Sequence, residues 1–216
     1  MIIAIDGPSG SGKSSTAKQV AIALGYVYLD TGAMYRAAAV GVLRSGIDPE
    51  DEIAVANAVR SMDIGFCGDK ILLNGEDVSV EIRRDAANKA VTPVSANPAV
   101  RDLMVEKQRA FARNHNVVME GRDIGTVVCP DADFKFFLTA DLDVRARRRM
   151  REAPEKLGFE AVRADLQRRD ERDSTRAHSP LRKAEDAREI DTGHLTFDEQ
   201  VDKILSIIEE PKHGGK

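Results

Sequence analysis

Tryptophan is absent from the chain, aromatic residues make up only 5% of it, and there are two cysteines. So few flat rings argue against a binder of single-stranded nucleic acid, which uses them as stacking platforms. Cys67 and Cys129, 62 residues apart, form neither a disulfide framework nor a metal-ligand pattern. Two reduced thiols in a cytoplasmic protein are expected. No stretch approaches the ~18 uncharged apolar residues of a membrane span. The opening MIIAIDG has no basic leader and turns polar at Asp6, so a signal peptide is not expected. Basic charge is not in excess either: the net charge is −4, whereas a general nucleic-acid binder is basic. What is present suffices for a buried core, since 42% of the 216 residues are hydrophobic and 31% are charged. That length fits one sizeable domain with an insertion.

Hydrophobic periodicity predicts alternating strands and helices. Met1 to Ile5 is a short apolar run that stops at a turn, as in a buried parallel strand. Lys13 to Leu24 reads as a helix with Ala17, Val20, Ala21 and Leu24 on one face, ended by Gly25. Tyr26 to Asp30 reads as a second strand, giving a right-handed βαβ unit. Thr31 to Leu43 and Glu50 to Met62 read as helices. Between Asp63 and Asp77, short runs around Asn74-Gly75 suggest a small antiparallel piece, taken as an insertion. Val100 to Arg113 is a helix with Val100, Leu103, Met104 and Phe111 near helical spacing. Val117-Val118-Met119, Phe134 to Leu138 and Glu189 to Asp191 read as strands, and Asp141 to Arg151 and Glu160 to Asp173 as charged helices. Thr196-Phe197-Asp198-Glu199 is a capping box opening a last helix whose buried face is Val201, Ile204, Leu205 and Ile208. The polar tail Pro211 to Lys216 reads as frayed.

Gly7-Pro8-Ser9-Gly10-Ser11-Gly12-Lys13-Ser14, followed by Ser15, matches the phosphate-binding loop G-x-x-x-x-G-K-[ST]. Its glycines let backbone N–H groups close on phosphates, and the following helix points its positive end at them. Lys13 can reach the β and γ phosphates, and Ser14 can ligate Mg²⁺. A dinucleotide fingerprint fails because Ser15 stands where the last glycine is needed. A GTPase base reader fails because Asn88-Lys89 is followed by Ala90-Val91, without the aspartate. A small P-loop kinase remains.

Four further segments carry a resemblance. They are Asp30-Thr31-Gly32-Ala33-Met34-Tyr35-Arg36; Gly75 to Ser79 with Glu81-Ile82-Arg83; Glu120-Gly121-Arg122-Asp123-Ile124-Gly125-Thr126-Val127-Val128; and Arg169 to Arg176 with Ser179-Pro180-Leu181. With the P-loop, this set resembles bacterial cytidylate kinase from Met1 to about Ile208. The resemblance implies transfer of a phosphoryl group from ATP to CMP or dCMP with Mg²⁺. It also implies a three-layer α/β P-loop fold on a parallel sheet, with a nucleoside-monophosphate-binding insertion (about 32–100) and a short lid (about 148–168). By similarity, Arg36 and Arg122 hold the acceptor phosphate, and Arg169 and Arg176 neutralise the transferring group beside Lys13. Asp123 accepts from the cytosine amino group, Arg101 donates to the ring acceptors and Thr92 assists. Asp173 takes the ribose, Thr31 replaces a common serine, and Tyr35 lines the pocket. A monomer acting on ATP and CMP is expected, with no membrane or nucleic-acid partner.

Several features have plainer readings. Between Arg145 and Arg188 there are 12 Arg and 2 Lys against 9 acidic residues, the mixture of a solvated helix with a few inward arginines. Pro154 to Gly158 could be a lid hinge or a surface loop. Glu120 could sit near Mg²⁺ or simply end a strand. Gly75-Glu76-Asp77 reads as a structural turn, Lys107, Gln108 and Arg109 as helix surface, and His115, His178, His194 and His213 as surface or loop residues without a catalytic part. Two alternatives remain open: a P-loop kinase for another small acceptor (UMP, dTMP or shikimate), and a non-catalytic nucleotide- or RNA-binding module.

Overall fold

The computed structural model describes residues 1–152 and 158–210. Most of the expected hinge Pro154–Gly158, the tail 211–216 and His213 lie outside the described residues. The chain divides into two compact units, one built from Met1–Leu29 and Asn114–Lys216, the other from Asp30–Arg113.

The first unit is organised by a five-stranded sheet. Its strands are β1 (Ile2–Asp6), β2 (Val27–Asp30), β6 (Val117–Gly121), β7 (Phe134–Thr139) and β8 (Arg188–Asp191), in the order β2-β6-β1-β7-β8. β1 is central and pairs in parallel with β6 and β7, and β7 pairs in parallel with β8. β1 and β6 are apolar and buried because helices cover both faces of such a sheet. The expected βαβ unit is corrected in one respect: β1 and β2 are not neighbours, because β6 lies between them. Helix α1 (Lys13–Leu24) has the expected bounds, set by Gly12 and Gly25, both in the left-handed conformation. With α8 (Phe197–Glu209) it closes a core around Ile3, Ile5, Phe136 and Ile204. Thr196 and Glu199 form the complete capping box of α8. Helices α6 (Leu142–Glu152) and α7 (Phe159–Thr175) share a smaller core of Ala146, Val162 and Leu166.

The second unit holds α2 (Thr31–Arg44), α3 (Glu52–Arg60), α4 (Asp85–Ala96), α5 (Pro98–Arg113) and an antiparallel sheet of β3 (Ile64–Cys67), β4 (Lys70–Leu73) and β5 (Glu76–Asp77). Leu73 pairs with Glu76 across Asn74-Gly75, whose φ values of 52° and 83° are those a two-residue hairpin turn requires. The turn expected at Gly75-Glu76-Asp77 is thus corrected: it is Asn74-Gly75, and Glu76-Asp77 already belongs to strand β5. Helix α4 is an addition to the expected elements, and it carries Pro93 within it. Its buried Ala87, Ala90 and Val94 nevertheless keep helical spacing. In α5 the surface expectation for Gln108 is overturned: Gln108 is fully buried, on a stripe with Arg101, Met104, Val105 and Ala112. Its amide oxygen and nitrogen have no hydrogen-bond partner among the described residues.

Candidate active site

The P-loop runs from the end of β1 to the start of α1. Gly10 and Gly12 have φ of 77° and 90°, which L side chains rarely adopt. A Cβ at Gly7 would overlap the Leu138 carbonyl oxygen, so only glycine fits there. Gly12 caps α1 without a side chain, leaving the helix N-terminus to a ligand. Ser11 is fully buried, and its hydroxyl has no partner among the described residues. Lys13 is buried, with its Nζ 3.4 Å from the Pro8 carbonyl oxygen and 4.0 Å from Glu120 Oε2.

Glu120, at the end of β6, is 3% exposed. Ser14 Oγ donates to its Oε2 (2.8 Å) and Tyr28 OH donates to its Oε1 (2.7 Å). Glu120 thus both ends a strand and touches Ser14, the residue the sequence offers as a Mg²⁺ ligand. A hydroxyl and a carboxylate are hard oxygen donors, which suit Mg²⁺. The described residues hold no group of three or more His, Cys, Asp or Glu disposed to bind a metal ion. Tyr28 went unnoticed in the sequence because it reads as an ordinary strand aromatic.

Past Glu120, Arg122 Nε donates to Asp173 Oδ2 at 2.7 Å. Burial works against the charge of Arg122, but the Asp173 carboxylate beside it more than offsets this and raises its pKa. Arg176 Nη2 lies 3.5 Å from Asp123 Oδ1, and both side chains are largely buried. Thus Arg122, Asp123, Asp173 and Arg176 form one cluster of alternating charge. Arg169 does not join it: its half-exposed guanidinium is held by Asp165, one helical turn earlier (2.9 Å). Two other arginines do reach the P-loop. Arg145 donates to the Ser9 carbonyl at 3.1 Å and to Asp170 at 2.6 Å, and Arg148 donates to Thr192 Oγ1 at 2.9 Å with the Ser11 carbonyl at 3.4 Å. They are inward members of the Arg-rich α6, and only the fold distinguishes them from their exposed neighbours.

Asp6 is a further residue missed in the sequence, where it reads only as the end of a strand. It is 4% exposed, and its carboxylate accepts from the backbone N–H groups of Ile124 (2.9 Å) and Gly125 (2.8 Å). Burial pushes its pKa up to about 6 against the pull of those two bonds.

In the second unit, Asp30 caps α2 and also holds Arg36 (2.9 Å). Thr31 and Tyr35 are buried on the same helix. Arg101 of α5 is 3% exposed, lies 5.3 Å over the Tyr35 ring and donates to the Ser95 carbonyl. Thr92 is half-buried on α4. His115, His178 and His194 are exposed. Cys67 is exposed and Cys129 buried, and both are free thiols. No described helix is long and apolar enough to cross a membrane.

A glycine-rich loop cradling the start of a helix, a buried lysine on that loop, and a serine hydroxyl on a buried carboxylate define a P-loop kinase. The fold agrees: a shikimate kinase from Bacteroides thetaiotaomicron aligns over 97% of this chain and 98% of its own, with a TM-score of 0.50 at 13% identity. The sequence carries the assignment further, because residues 3–210 match the family described as cytidylate kinase. The cytidylate kinase of Caldanaerobacter subterraneus subsp. tengcongensis is 49% identical over 215 residues, covering 98% of this chain and 96% of that protein. That of Rhodococcus opacus is 51% identical over 218 residues, covering 97% and 95%. The chain belongs to the cytidylate kinase family.

Proposed function

We propose that this protein transfers the γ-phosphoryl group of ATP to CMP or dCMP, giving ADP and CDP or dCDP. The observation that carries this reading is the match of residues 3–210 to the cytidylate kinase family, supported by the run Glu120–Asp123, where Glu120 accepts from Ser14, Arg122 donates to Asp173 and Asp123 faces Arg176. The acceptor phosphate has a second pKa of about 6, so its oxygen is already anionic at pH 7 and needs no general base. Catalysis is then in-line positioning plus neutralisation of charge. The loop Gly7–Ser15 wraps the ATP phosphates, and Lys13 follows the transferring group. Bound Mg²⁺ would be held through Ser14, with Glu120 behind it, and would neutralise charge on the β and γ oxygens.

Arg36 and Arg122 hold the acceptor phosphate, since arginine grips phosphate with two parallel N–H bonds. Asp173 takes the ribose, and Arg169 and Arg176 close on the transferring group. For Arg169 this requires release from Asp165. Asp123 accepts from the cytosine N4 amino group, Arg101 and Thr92 serve the ring acceptors, and Thr31 and Tyr35 line the pocket. Residues about 32–100 act as the monophosphate-binding region and about 148–168 as the lid. The protein works as a monomer in the cytoplasm, where its two thiols stay reduced.

A coupled ADP-release assay with Mg·ATP and CMP, dCMP, UMP, dTMP, AMP and shikimate tests the reading. Uracil places an acceptor where Asp123 needs a donor, which costs about 1–3 kcal/mol, or roughly 10–100-fold in kcat/KM. Equal rates on UMP would remove the role of Asp123. Activity only on another acceptor would remove the assignment of the pocket.

A further inference from the structure

The segment Arg122-Asp123 is only two residues long, yet in the proposed reaction it grips the acceptor phosphate and reads the base. What holds its backbone in place is therefore a question about function. On one side it continues from β6, whose last residue, Gly121, pairs with Asp6 in the parallel ladder. On the other side it enters a tight turn over Ile124–Val128, closed by the Asp123 carbonyl accepting from the N–H groups of Val127 and Val128. The first two N–H groups of that turn go to the side chain of Asp6, one to each carboxylate oxygen. Both flanks of Arg122-Asp123 are thus fastened to the same residue, by its backbone on one side and its carboxylate on the other. Gly7, which opens the P-loop, is the next residue in the chain.

The fit is close. Gly125 lies directly against the carboxylate: even a Cβ built on it would touch Asp6 Oδ2, at 3.5 Å. A buried carboxylate is costly to keep, and asparagine could not replace it. Asparagine offers one acceptor oxygen, and its NH₂ would face the second backbone N–H donor to donor.

We propose that Asp6 is a positioning residue for acceptor recognition: it fixes Arg122 and Asp123 relative to the first residue of the P-loop, and so sets the affinity for CMP and its preference over UMP. This rests on the proposed CMP kinase reaction.

The test compares wild type with Asp6→Asn in steady-state assays with CMP and UMP, and adds Asp123→Ala and the double variant. Losing a charge-assisted bond to a backbone N–H is expected to raise KM for CMP roughly tenfold or more, with a smaller change in KM for ATP. The CMP/UMP ratio should fall with it. In the Asp123→Ala background, Asp6→Asn should change that ratio no further, because both act through one group. A purely structural Asp6 would instead lower the active fraction, reducing kcat with both KM values and the ratio unchanged; that result overturns the proposal. Should Asp6→Asn fail to fold, Asp6→Glu keeps both acceptor oxygens but sets them one methylene further from the backbone, so the two N–H groups of Ile124 and Gly125 cannot be met in place. It is expected to raise KM for CMP in the same direction, and an unchanged KM overturns the proposal equally. If wild type itself does not use CMP, the proposed reaction fails rather than the role of Asp6.

Discussion

The buried Asp6 carboxylate gives a prediction about stability that is separate from catalysis. Its pKa is about 6 in the folded protein, against an ordinary aspartate value of 3.8. A raised folded pKa means that the folded state favours the protonated form. The stability this contributes is fully present below pH ~4, declines as pH rises and is gone above pH ~6. At about 1.4 kcal/mol per pKa unit, the full range is on the order of 3 kcal/mol. An asparagine side chain does not titrate, so the difference in unfolding free energy between wild type and Asp6→Asn isolates this one group. Urea unfolding at pH 4.5, 5.5, 6.5 and 7.5 measures it, with equal m values checking that the same surface is exposed. Wild type should lose about 2 kcal/mol relative to Asp6→Asn between pH 4.5 and 7, and then stay level. A difference that is flat across the whole range would refute the reasoning: the carboxylate would then be ionised throughout, with its two N–H bonds outweighing burial.

Other outcomes follow from the same geometry. Glu120→Gln keeps an acceptor for Ser14 but removes the charge, so the Mg²⁺ concentration for half-maximal rate should rise several-fold while KM for CMP stays put; titrating Mg²⁺ at fixed ATP checks this. His115→Gln, His178→Gln and His194→Gln should each leave kcat within about twofold, since an anionic acceptor needs no base; loss of turnover in any one would contradict the mechanism. Gln108→Met fills similar volume and removes an unpartnered buried amide, so thermal or urea unfolding should show equal or greater stability, by up to about 1 kcal/mol. A clear loss would mean that the amide is hydrogen-bonded after all.

The sequence was most legible where local chemistry leaves little choice. Gly12 and Gly25 bound α1 because each sits in a left-handed conformation. Asn74-Gly75 makes its hairpin for the same reason, and Thr196 with Glu199 opens α8 through two reciprocal bonds. The P-loop was readable because its spacing and its chemistry are one pattern. Long-range pairing was not readable: nothing near β1 or β2 announces that β6 will lie between them. Helix α4 is hard to read because Pro93 interrupts its pattern of helix-favouring residues, although Ala87, Ala90 and Val94 keep helical spacing. Asp6 could not be found because two backbone amides 118 and 119 residues away give it its role. Arg145, Arg148 and Arg169 look alike in the sequence. Which face of a helix each occupies decides that the first two touch the P-loop while the third pairs with Asp165. Gln108 was misread from polarity alone, although its spacing from Arg101 and Met104 already placed it on the buried stripe.

The strand order also bears on how the chain is made. Asp30–Arg113 is one uninterrupted segment, so every partner its interior needs has been synthesised by the time Arg113 appears. The other unit is split, and its first three elements are synthesised long before the strand that belongs between β1 and β2. During translation the early strands must wait, with their edges unpaired, until β6 arrives. Such exposed edges invite wrong partners. Folding of the inserted segment first brings Leu29 and Asn114 closer along the chain, shortening the effective loop that β6 must close. The segment that carries five of the nine proposed acceptor residues thus also sets the length of chain that β6 must bridge to reach its place.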